Sequence, residues 1–122
     1  MQLDEITNFR GEAASATAES TADAFVAAVG ERVRRARQRK GISRRILSEL
    51  SGVSQRYLAQ LEAGEGNISI ALLHRVALAL DHRVEWLVGD DDPWDSDVTR
   101  IAELYRSANA ETRRAALAIL SP

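Results

Sequence analysis

The sequence predicts an all-α protein, and three observations support this. Apolar residues recur at intervals of three and four over most of the 122 residues, which is the spacing of one face of a helix. Serines and glycines stand at the ends of these stretches, where helices are capped. With 45% hydrophobic residues, the chain can build a helical core without disulfides. Its length corresponds to one small domain with tails.

The chain begins with a segment that we expect to be a flexible arm. Residues 1–20 are small, polar and acidic, and they offer too little apolar surface to offset the entropy of ordering. From Thr21 the spacing predicts a first helix that ends at Gly41. Its apolar positions are Phe25, Val26, Val29, Val33 and Ala36.

The stretch Leu47–Gly64, with the sequence LSELSGVSQRYLAQLEAG, predicts two short helices joined by a tight turn. In the first of them Leu47 and Leu50 fall on one face, and Ser48 supplies a small side chain for a close helix crossing. Gly52 can take the positive φ at which this helix stops.

The second short helix follows Ser54, a good N-cap residue, and ends at Gly64. Val53, Leu58 and Leu61 supply the apolar contacts beneath it. Three polar side chains face away from that apolar side: Gln55, Arg56 and Gln60. These residue types read base edges in DNA, so the set favours a DNA-reading helix over a plain helical hairpin.

Two further helices are predicted after a loop at residues 65–67. Ser69 can cap the first of them. Its apolar positions are Leu72, Leu73, Val76, Ala77 and Leu80. Val84 and Leu87 then mark a short fifth helix that ends at Gly89. We interpret these apolar positions as core, which makes residues 21–89 one helical domain.

Residues 90–122 are predicted to be an acidic linker and a helical extension. Three aspartates and Pro93 break the helical pattern, and the aspartates lack the spacing of a calcium-binding loop. Two apolar stripes separated by Asn109 follow: Val98, Ile101, Leu104 and Tyr105, then Ala115, Ala116, Ile119 and Leu120. Neither stripe has a core of its own, so each is expected to pack on the domain, on a second subunit or on a segment outside this sequence.

Charge is distributed unevenly along the chain, although the formal net charge is only −2. Residues 30–89 carry eleven Arg or Lys against six acids, a net charge of +5, and the rest of the chain carries −7. A basic module between acidic flanks is typical of DNA binding by the middle part. Several of its cations lie together, so phosphate contact is expected of Arg34 and Arg35 in the first helix and of Arg44 and Arg45 in the second.

Other chemistries find little support. The chain has no cysteine, and its two histidines, His74 and His82, stand apart from any cluster of carboxylates, so neither a metal nor a cofactor is expected. No convergent set of acids, bases or nucleophiles points to an enzyme. There is no apolar stretch of about 18 residues and no signal pattern, which predicts a cytoplasmic protein with no membrane partner.

From about Gly30 to Gly89 the sequence resembles the helix-turn-helix domain of lambda-type phage repressors, the Xre family. The resemblance is carried by RRARQRKGIS, by LSELSGVSQRYLAQLEAG and by LLHRVALALDHRVEWLVG. It implies a five-helix domain that binds double-stranded DNA as a homodimer on an inverted repeat, with Ser54–Glu62 in the major groove. It also implies an ion pair between Arg37 and Glu62 beneath the recognition helix.

The resemblance assigns roles to the polar residues of this region. It implies that Gln55, Arg56 and Gln60 read bases. The residues expected to contact phosphates are Arg34, Arg35, Arg44, Arg45, Ser54, Tyr57 and Asn67. The chain departs from the family pattern in having Arg44 where many phage repressors have glutamine, and Glu65 where several have a basic residue. Asp81 stands where the family often has glycine, but aspartate also tolerates the left-handed conformation.

More narrowly, residues 43–77 look like the N-terminal domain of benzoyl-CoA-responsive repressors of aromatic catabolism. Those repressors continue into a domain similar to shikimate kinase, which carries the effector site. No G-x-x-x-x-G-K-[ST] sequence occurs here, so an aromatic acyl-CoA effector is expected to bind a domain absent from this chain, which is then a fragment.

The sequence as a whole predicts a transcriptional regulator, acting as a repressor, with no catalytic activity. A rival hypothesis is a protein-interaction module, such as an antitoxin-like or adaptor domain, that keeps the same fold and uses its acidic flanks to bind a protein. Salt-dependent DNA binding would distinguish the two.

Overall fold

The computed structural model describes the backbone of residues 3–122 and the side chains of residues 17–122. Over these residues the protein is entirely helical, without strands, as predicted. The helices are α1 (Leu3–Lys40), α2 (Arg44–Ser51), α3 (Gln55–Glu62), α4 (Ile70–Ala79), α5 (Val84–Val88), α6 (Asp97–Ser107) and α7 (Ala110–Leu120). The chain divides into two compact units, Met1–Val88 and Gly89–Pro122.

The predicted first helix is part of α1, which starts at Leu3 and ends where Gly41 adopts φ +75°. The side chains of residues 1–16 lie outside the described set, and the flexible arm predicted for residues 1–20 stays a prediction. Phe25 was expected to continue the apolar stripe, but it is exposed. Ala27, two residues further along α1, lies beside Gly64 in the turn that follows α3.

The core of the first unit lies where α1 crosses α3 and where α2, α4 and α5 close around them. Its buried apolar residues are Val29, Val33, Ala36, Leu47, Val53, Leu58, Leu61, Leu73, Val76, Ala77, Leu80 and Leu87. Almost all of the apolar positions predicted for α3 and α4 are among them. Burial of these side chains is the main favourable contribution to the stability of the unit.

One face of α2 differs from the prediction. Leu50 was placed with Leu47 on the buried face, but it is 58% exposed, and the buried neighbour of Leu47 is instead Ser51. The Ser51 hydroxyl donates to the Leu47 carbonyl at 2.6 Å and accepts the Val53 amide at 3.2 Å. Ser51 thereby satisfies backbone groups at the turn. The core lies on the Ser51 side of Leu47.

Local backbone chemistry fixes the helix ends where the sequence predicted them. Ser54 and Ser69 are N-caps, and their hydroxyls accept the amides of Tyr57 and Leu72. Gly52 ends α2 with φ +72°. Asp81 is the only described non-glycine residue with a positive φ, +61°, and its carboxylate pairs with Lys40.

The second unit consists of α6 and α7 with a defined corner between them. Asn109 caps α7 by accepting the Thr112 amide at 2.8 Å. The Arg113 guanidinium donates to the carbonyls of Tyr105 at 2.9 Å and Arg106 at 2.6 Å, at the end of α6, and it stacks over the Tyr105 ring. These bonds satisfy carbonyls that a helix end leaves open. Large apolar side chains stay exposed on both helices: Val98, Ile101, Leu104, Leu117, Ile119 and Leu120.

None of the helices within residues 3–122 combines the length and the apolar character that crossing a membrane requires.

Candidate nucleic-acid interface

The turn between α2 and α3 fixes the direction in which α3 presents its polar side chains. Gly52 stops α2, Val53 is buried beneath the turn, and Ser54 caps α3 at once. Leu58 and Leu61 then hold one side of α3 in the core. The other side of an eight-residue helix is thereby turned to solvent as a rigid surface.

That surface carries the three residues predicted to read bases, Gln55, Arg56 and Gln60, and all three are exposed. No hydrogen bond or ion pair with another described residue holds their side chains. Their donors and acceptors therefore remain available. A glutamine amide can pair with adenine, and a guanidinium can grip guanine with two parallel hydrogen bonds.

The structure brings Arg37 of α1 and Glu62 of α3 together in a two-pronged ion pair. Arg37 donates from Nε and from Nη2 to the two carboxylate oxygens of Glu62, both at 2.8 Å. The Glu62 side chain is 1% exposed and that of Arg37 is 13% exposed. Arg37 also donates from Nη1 to the Ile42 carbonyl at 3.0 Å. The hydrogen bond that Arg37 donates to Glu62 raises the pKa of Arg37, so this guanidinium stays charged.

Arg44 adds a third partner to this pair, which sequence reasoning did not predict. Its Nε lies 3.4 Å from Oε1 of Glu62, and its side chain is 47% exposed. Glu62 therefore links the last turn of α1, the first residue of α2 and the last residue of α3. This carboxylate holds α3 against both helices that support it.

Two of the cations expected to contact phosphate are held by exposed carboxylates of their own helices. Arg34 forms a two-pronged pair with Glu31, with its nearest distance 2.7 Å, and the pKa of Glu31 is lowered chiefly by that hydrogen bond. Arg45 pairs with Glu49 at 2.9 Å. A contact with DNA would have to open or share these pairs. This costs little free energy, because the pairs are solvated.

The polar residues at the two ends of α3 are placed differently. Ser54 uses its hydroxyl as an acceptor, which leaves its proton available to a phosphate. The Tyr57 hydroxyl donates to the Asn67 carbonyl at 3.3 Å and accepts the Ser69 amide at 2.8 Å. It thus ties the following loop to α3, and its one donor is occupied. The Asn67 side chain is exposed at that loop, and Arg35 is half-buried on α1.

A close approach of backbones at Gly30 was also missed by sequence reasoning. A Cβ on Gly30 would lie 2.1 Å from the Leu61 carbonyl oxygen, so only glycine lets α1 and α3 cross here. The available signal was a glycine inside a segment with helical periodicity, where glycine is unfavourable unless packing requires it.

The histidines occupy places without metal-binding character. No group of three or more His, Cys, Asp or Glu residues comes together within the part of the chain that the structure describes. His74 is exposed on α4. The His82 ring stacks on that of Trp86, with centroids 3.8 Å apart and planes 4° from parallel, which is a packing contact at the start of α5.

The helices α2 and α3 are equally short and are joined by a tight turn. Since α3 is capped and presents Gln and Arg side chains to solvent, the pair forms a helix-turn-helix unit of the DNA-binding class. Comparison with known proteins agrees. The helix-turn-helix family model matches residues 33–87. The HTH-type transcriptional regulator SinR of Bacillus licheniformis is 34% identical over 70 residues, which are 57% of this chain and 63% of that protein. The chain thus spans less than two thirds of this curated relative.

Two solved structures extend the similarity to three dimensions. The restriction-modification controller protein C.AhdI from Aeromonas hydrophila is 34% identical, with a TM-score of 0.51 over 52% of this chain and 97% of that chain. The SinR protein/SinI protein complex contains a chain that is 29% identical, with a TM-score of 0.52 over 75% of this chain and 92% of that one. The protein belongs to the helix-turn-helix family of lambda-repressor type.

Proposed function

We propose that this protein is a sequence-specific transcriptional repressor, acting in the cytoplasm, that places α3 in the major groove of an inverted-repeat operator. The observation that carries the proposal is the exposed side of α3. Gln55, Arg56 and Gln60 have no partner among the described residues, while the opposite side of the helix is fixed by core leucines and by the buried Glu62.

Readout of bases follows from the chemistry of these three side chains. Arg56 suits the two acceptors of guanine, and Gln55 and Gln60 suit the acceptor and donor of adenine. Each good bidentate contact discriminates against a wrong base by about 1–3 kcal/mol. Leu58, Leu61 and the ion pair of Glu62 hold α3 in place. Little ordering is therefore needed when it enters the groove, which favours affinity.

Contacts with phosphates would supply most of the affinity that does not depend on sequence. Residues 30–89 carry a net charge of +5, which attracts the DNA backbone. Arg44, Ser54 and Asn67 offer exposed polar groups at the two ends of the helix pair. Arg34, Arg35 and Arg45 add cations at its margin, and Tyr57 acts by holding the Asn67 loop in place.

A homodimer is the second part of the proposal, with α6 and α7 as the surface that meets a second copy. Six large apolar side chains on these two short helices are exposed, and Arg113 fixes the corner between them. Exposed apolar surface of this extent is typical of an interface. Two copies would place two α3 helices about 34 Å apart, one turn of DNA, so that each reads one half-site.

The effector is proposed from sequence resemblance alone. Residues 43–77 look like the corresponding part of benzoyl-CoA-responsive repressors. We therefore propose that an aromatic acyl-CoA regulates DNA binding through a domain outside residues 1–122.

DNA binding can be tested by titrating labelled duplexes of random sequence with the protein at increasing salt and following fluorescence anisotropy. The proposal predicts binding that weakens with a steep log–log slope between 50 and 200 mM salt, by about 10³-fold or more if six or more phosphates are contacted. The variant Arg75→Ala, which removes an exposed cation of α4, serves as the charge control. If no duplex binds at 50 mM salt, the proposal is wrong, and the hypothesis of a protein-interaction module is favoured instead.

A further inference from the structure

The carboxylate of Glu62 is shared by two arginines that differ in their surroundings. Its Oε1 accepts from Arg37 Nη2 at 2.8 Å and from Arg44 Nε at 3.4 Å, and its Oε2 accepts from Arg37 Nε at 2.8 Å. The carboxylate is almost fully buried. A buried carboxylate with two cationic partners has a fixed position, so it can also fix the position of each partner.

The two arginines use their donors in different ways. Arg37 is nearly buried and directs donors both to Glu62 and to the Ile42 carbonyl, so its guanidinium is committed to the fold. Arg44 is half-exposed and contacts Glu62 through Nε only. Its two Nη groups, with four N–H donors, have no partner among the described residues. Glu62 therefore holds the Nε edge of the Arg44 guanidinium, and the edge formed by the two Nη groups remains available.

The open edge lies next to the DNA-reading helix. Arg44 is the first residue of α2, and Glu62 is the last residue of α3. When α3 lies in the major groove, a guanidinium beside its end faces the backbone that borders the groove. A guanidinium matches two oxygens of a phosphodiester with parallel hydrogen bonds, which a lysine ammonium or a glutamine amide cannot do.

We propose that Glu62 is a positioning residue that orients Arg44 as a clamp on one phosphodiester of the DNA backbone, so that a contact with DNA is built into the same ion pair that holds α3. This inference rests on the proposed function. The Glu62 contact restricts the Arg44 side chain before DNA arrives, and less ordering entropy is then lost on binding. It also gives a physical role to an arginine at a position where many phage repressors have glutamine.

A double-mutant cycle tests the coupling. DNA affinity is measured for the full chain, Arg44→Ala, Glu62→Gln and the double variant on one duplex at one salt concentration. Arg44→Ala is expected to weaken binding about tenfold, the effect of one charged hydrogen-bonded contact. On top of Glu62→Gln, the same change should weaken binding only about threefold, because a neutral amide oxygen orients Arg44 less firmly than a carboxylate does. Melting curves must show that each variant is folded at the temperature of the measurement.

The sign of the coupling separates positioning from other roles. If Arg44→Ala costs the same affinity with and without Glu62→Gln, Glu62 does not position Arg44. If it costs more in the Glu62→Gln background, Glu62 holds Arg44 back from DNA. Either result overturns the inference. A purely electrostatic role for Glu62 predicts that Glu62→Gln strengthens binding, since an acid near the phosphates is removed.

A second variant keeps the test decisive if Glu62→Gln fails to fold. Arg44→Lys preserves the charge but has no Nε and no planar fork, so it should weaken binding about threefold or more. Arg75→Lys, at an exposed position of α4, is the matched control and should leave binding unchanged. Equal affinities of Arg44→Lys and the unaltered protein would overturn the clamp. If the unaltered protein binds no duplex at all, the clamp fails together with the proposed function.

Discussion

Individual charged residues of this protein divide into those that hold the fold and those that remain available to a partner. The Arg37–Glu62 pair is buried, with both guanidinium prongs engaged. The Arg34–Glu31 pair has similar distances but is exposed. Removing one partner of a buried pair leaves an uncompensated buried charge, whereas an exposed charge is solvated. The buried pair is therefore expected to matter more to the free energy of unfolding than the exposed one, although their distances are similar.

Glu62→Ala is expected to lower the free energy of unfolding by about 3–5 kcal/mol, because Arg37 would keep a buried charge without its carboxylate. Urea denaturation of the full chain measures this. Glu49→Ala, which removes one partner of an exposed pair on α2, should change the midpoint little. Equal midpoints for Glu62→Ala and the unaltered protein would mean that the pair adds nothing to stability.

The Lys40–Asp81 pair predicts a pH dependence. The hydrogen bond from Lys40 lowers the pKa of Asp81 from its ordinary value of 3.8. Because the folded pKa is depressed, the stabilisation is present above pH 3.8 and is lost as the pH falls through the lower folded value. Asp81→Asn should therefore have a lower urea midpoint than the unaltered protein at pH 6, and the gap should close below pH 4, the region of these pKa values.

Asp81→Asn keeps a residue type that tolerates positive φ, so the comparison isolates the charge. A gap between the two midpoints that stays constant from pH 6 down to pH 3 would show that the Lys40–Asp81 pair does not stabilise the fold.

The elements show which parts of the fold a sequence can predict. Helix ends at Gly41, Gly52 and Ser54 were predictable because caps are local backbone chemistry. The exposure of Leu50 was not predictable, because it depends on where the neighbouring helices pack. The same holds for the contact of Arg44 with Glu62, which are 18 residues apart in sequence and meet only in the fold.

The crossing of α1 and α3 makes Gly30→Ala a sharp test of the packing. Alanine is the better helix former by about 1 kcal/mol, so secondary structure alone predicts stabilisation. Its Cβ would nevertheless meet the Leu61 carbonyl oxygen, and that backbone atom cannot move without shifting α3. We expect a net loss of about 3 kcal/mol, at the upper end for overpacking, and weaker DNA binding.

Gly41→Ala provides the control for this test. A Cβ at Gly41 would meet nothing within 4 Å, so only the left-handed backbone is penalised, by about 1–2 kcal/mol. A Gly30→Ala variant as stable as the unaltered protein would show that α1 and α3 do not approach as closely as described.

On the scale of the whole molecule, the compact first unit holds the candidate interface, and the second unit offers apolar surface. The exposure of Gln55, Arg56 and Gln60 on α3 was predictable from the sequence, because polar residues opposite a leucine stripe must face outward. The partner of the α6–α7 stripes was not predictable, since a stripe on a short helix does not identify what covers it.

Self-association through α6 and α7 predicts that Ile101→Glu lowers the molar mass measured by sedimentation equilibrium from that of a dimer to that of a monomer. A buried charge without a partner is costly at an apolar interface. Thr112→Glu adds the same charge at an exposed polar position of α7 and should leave the dimer intact. A monomeric unaltered protein, or a dimer unaffected by Ile101→Glu, would place the interface elsewhere or remove it.

The most direct measurement is selection of bound duplexes from a random DNA pool, with the unaltered protein, Arg56→Ala and Arg75→Ala compared side by side. We expect an enriched inverted repeat for the unaltered protein and for Arg75→Ala. For Arg56→Ala we expect one position in each half-site to lose its base preference, with binding weaker by about 1–3 kcal/mol. Enrichment of no sequence, or an identical preference after Arg56→Ala, would contradict the assignment of α3 as the helix that reads DNA.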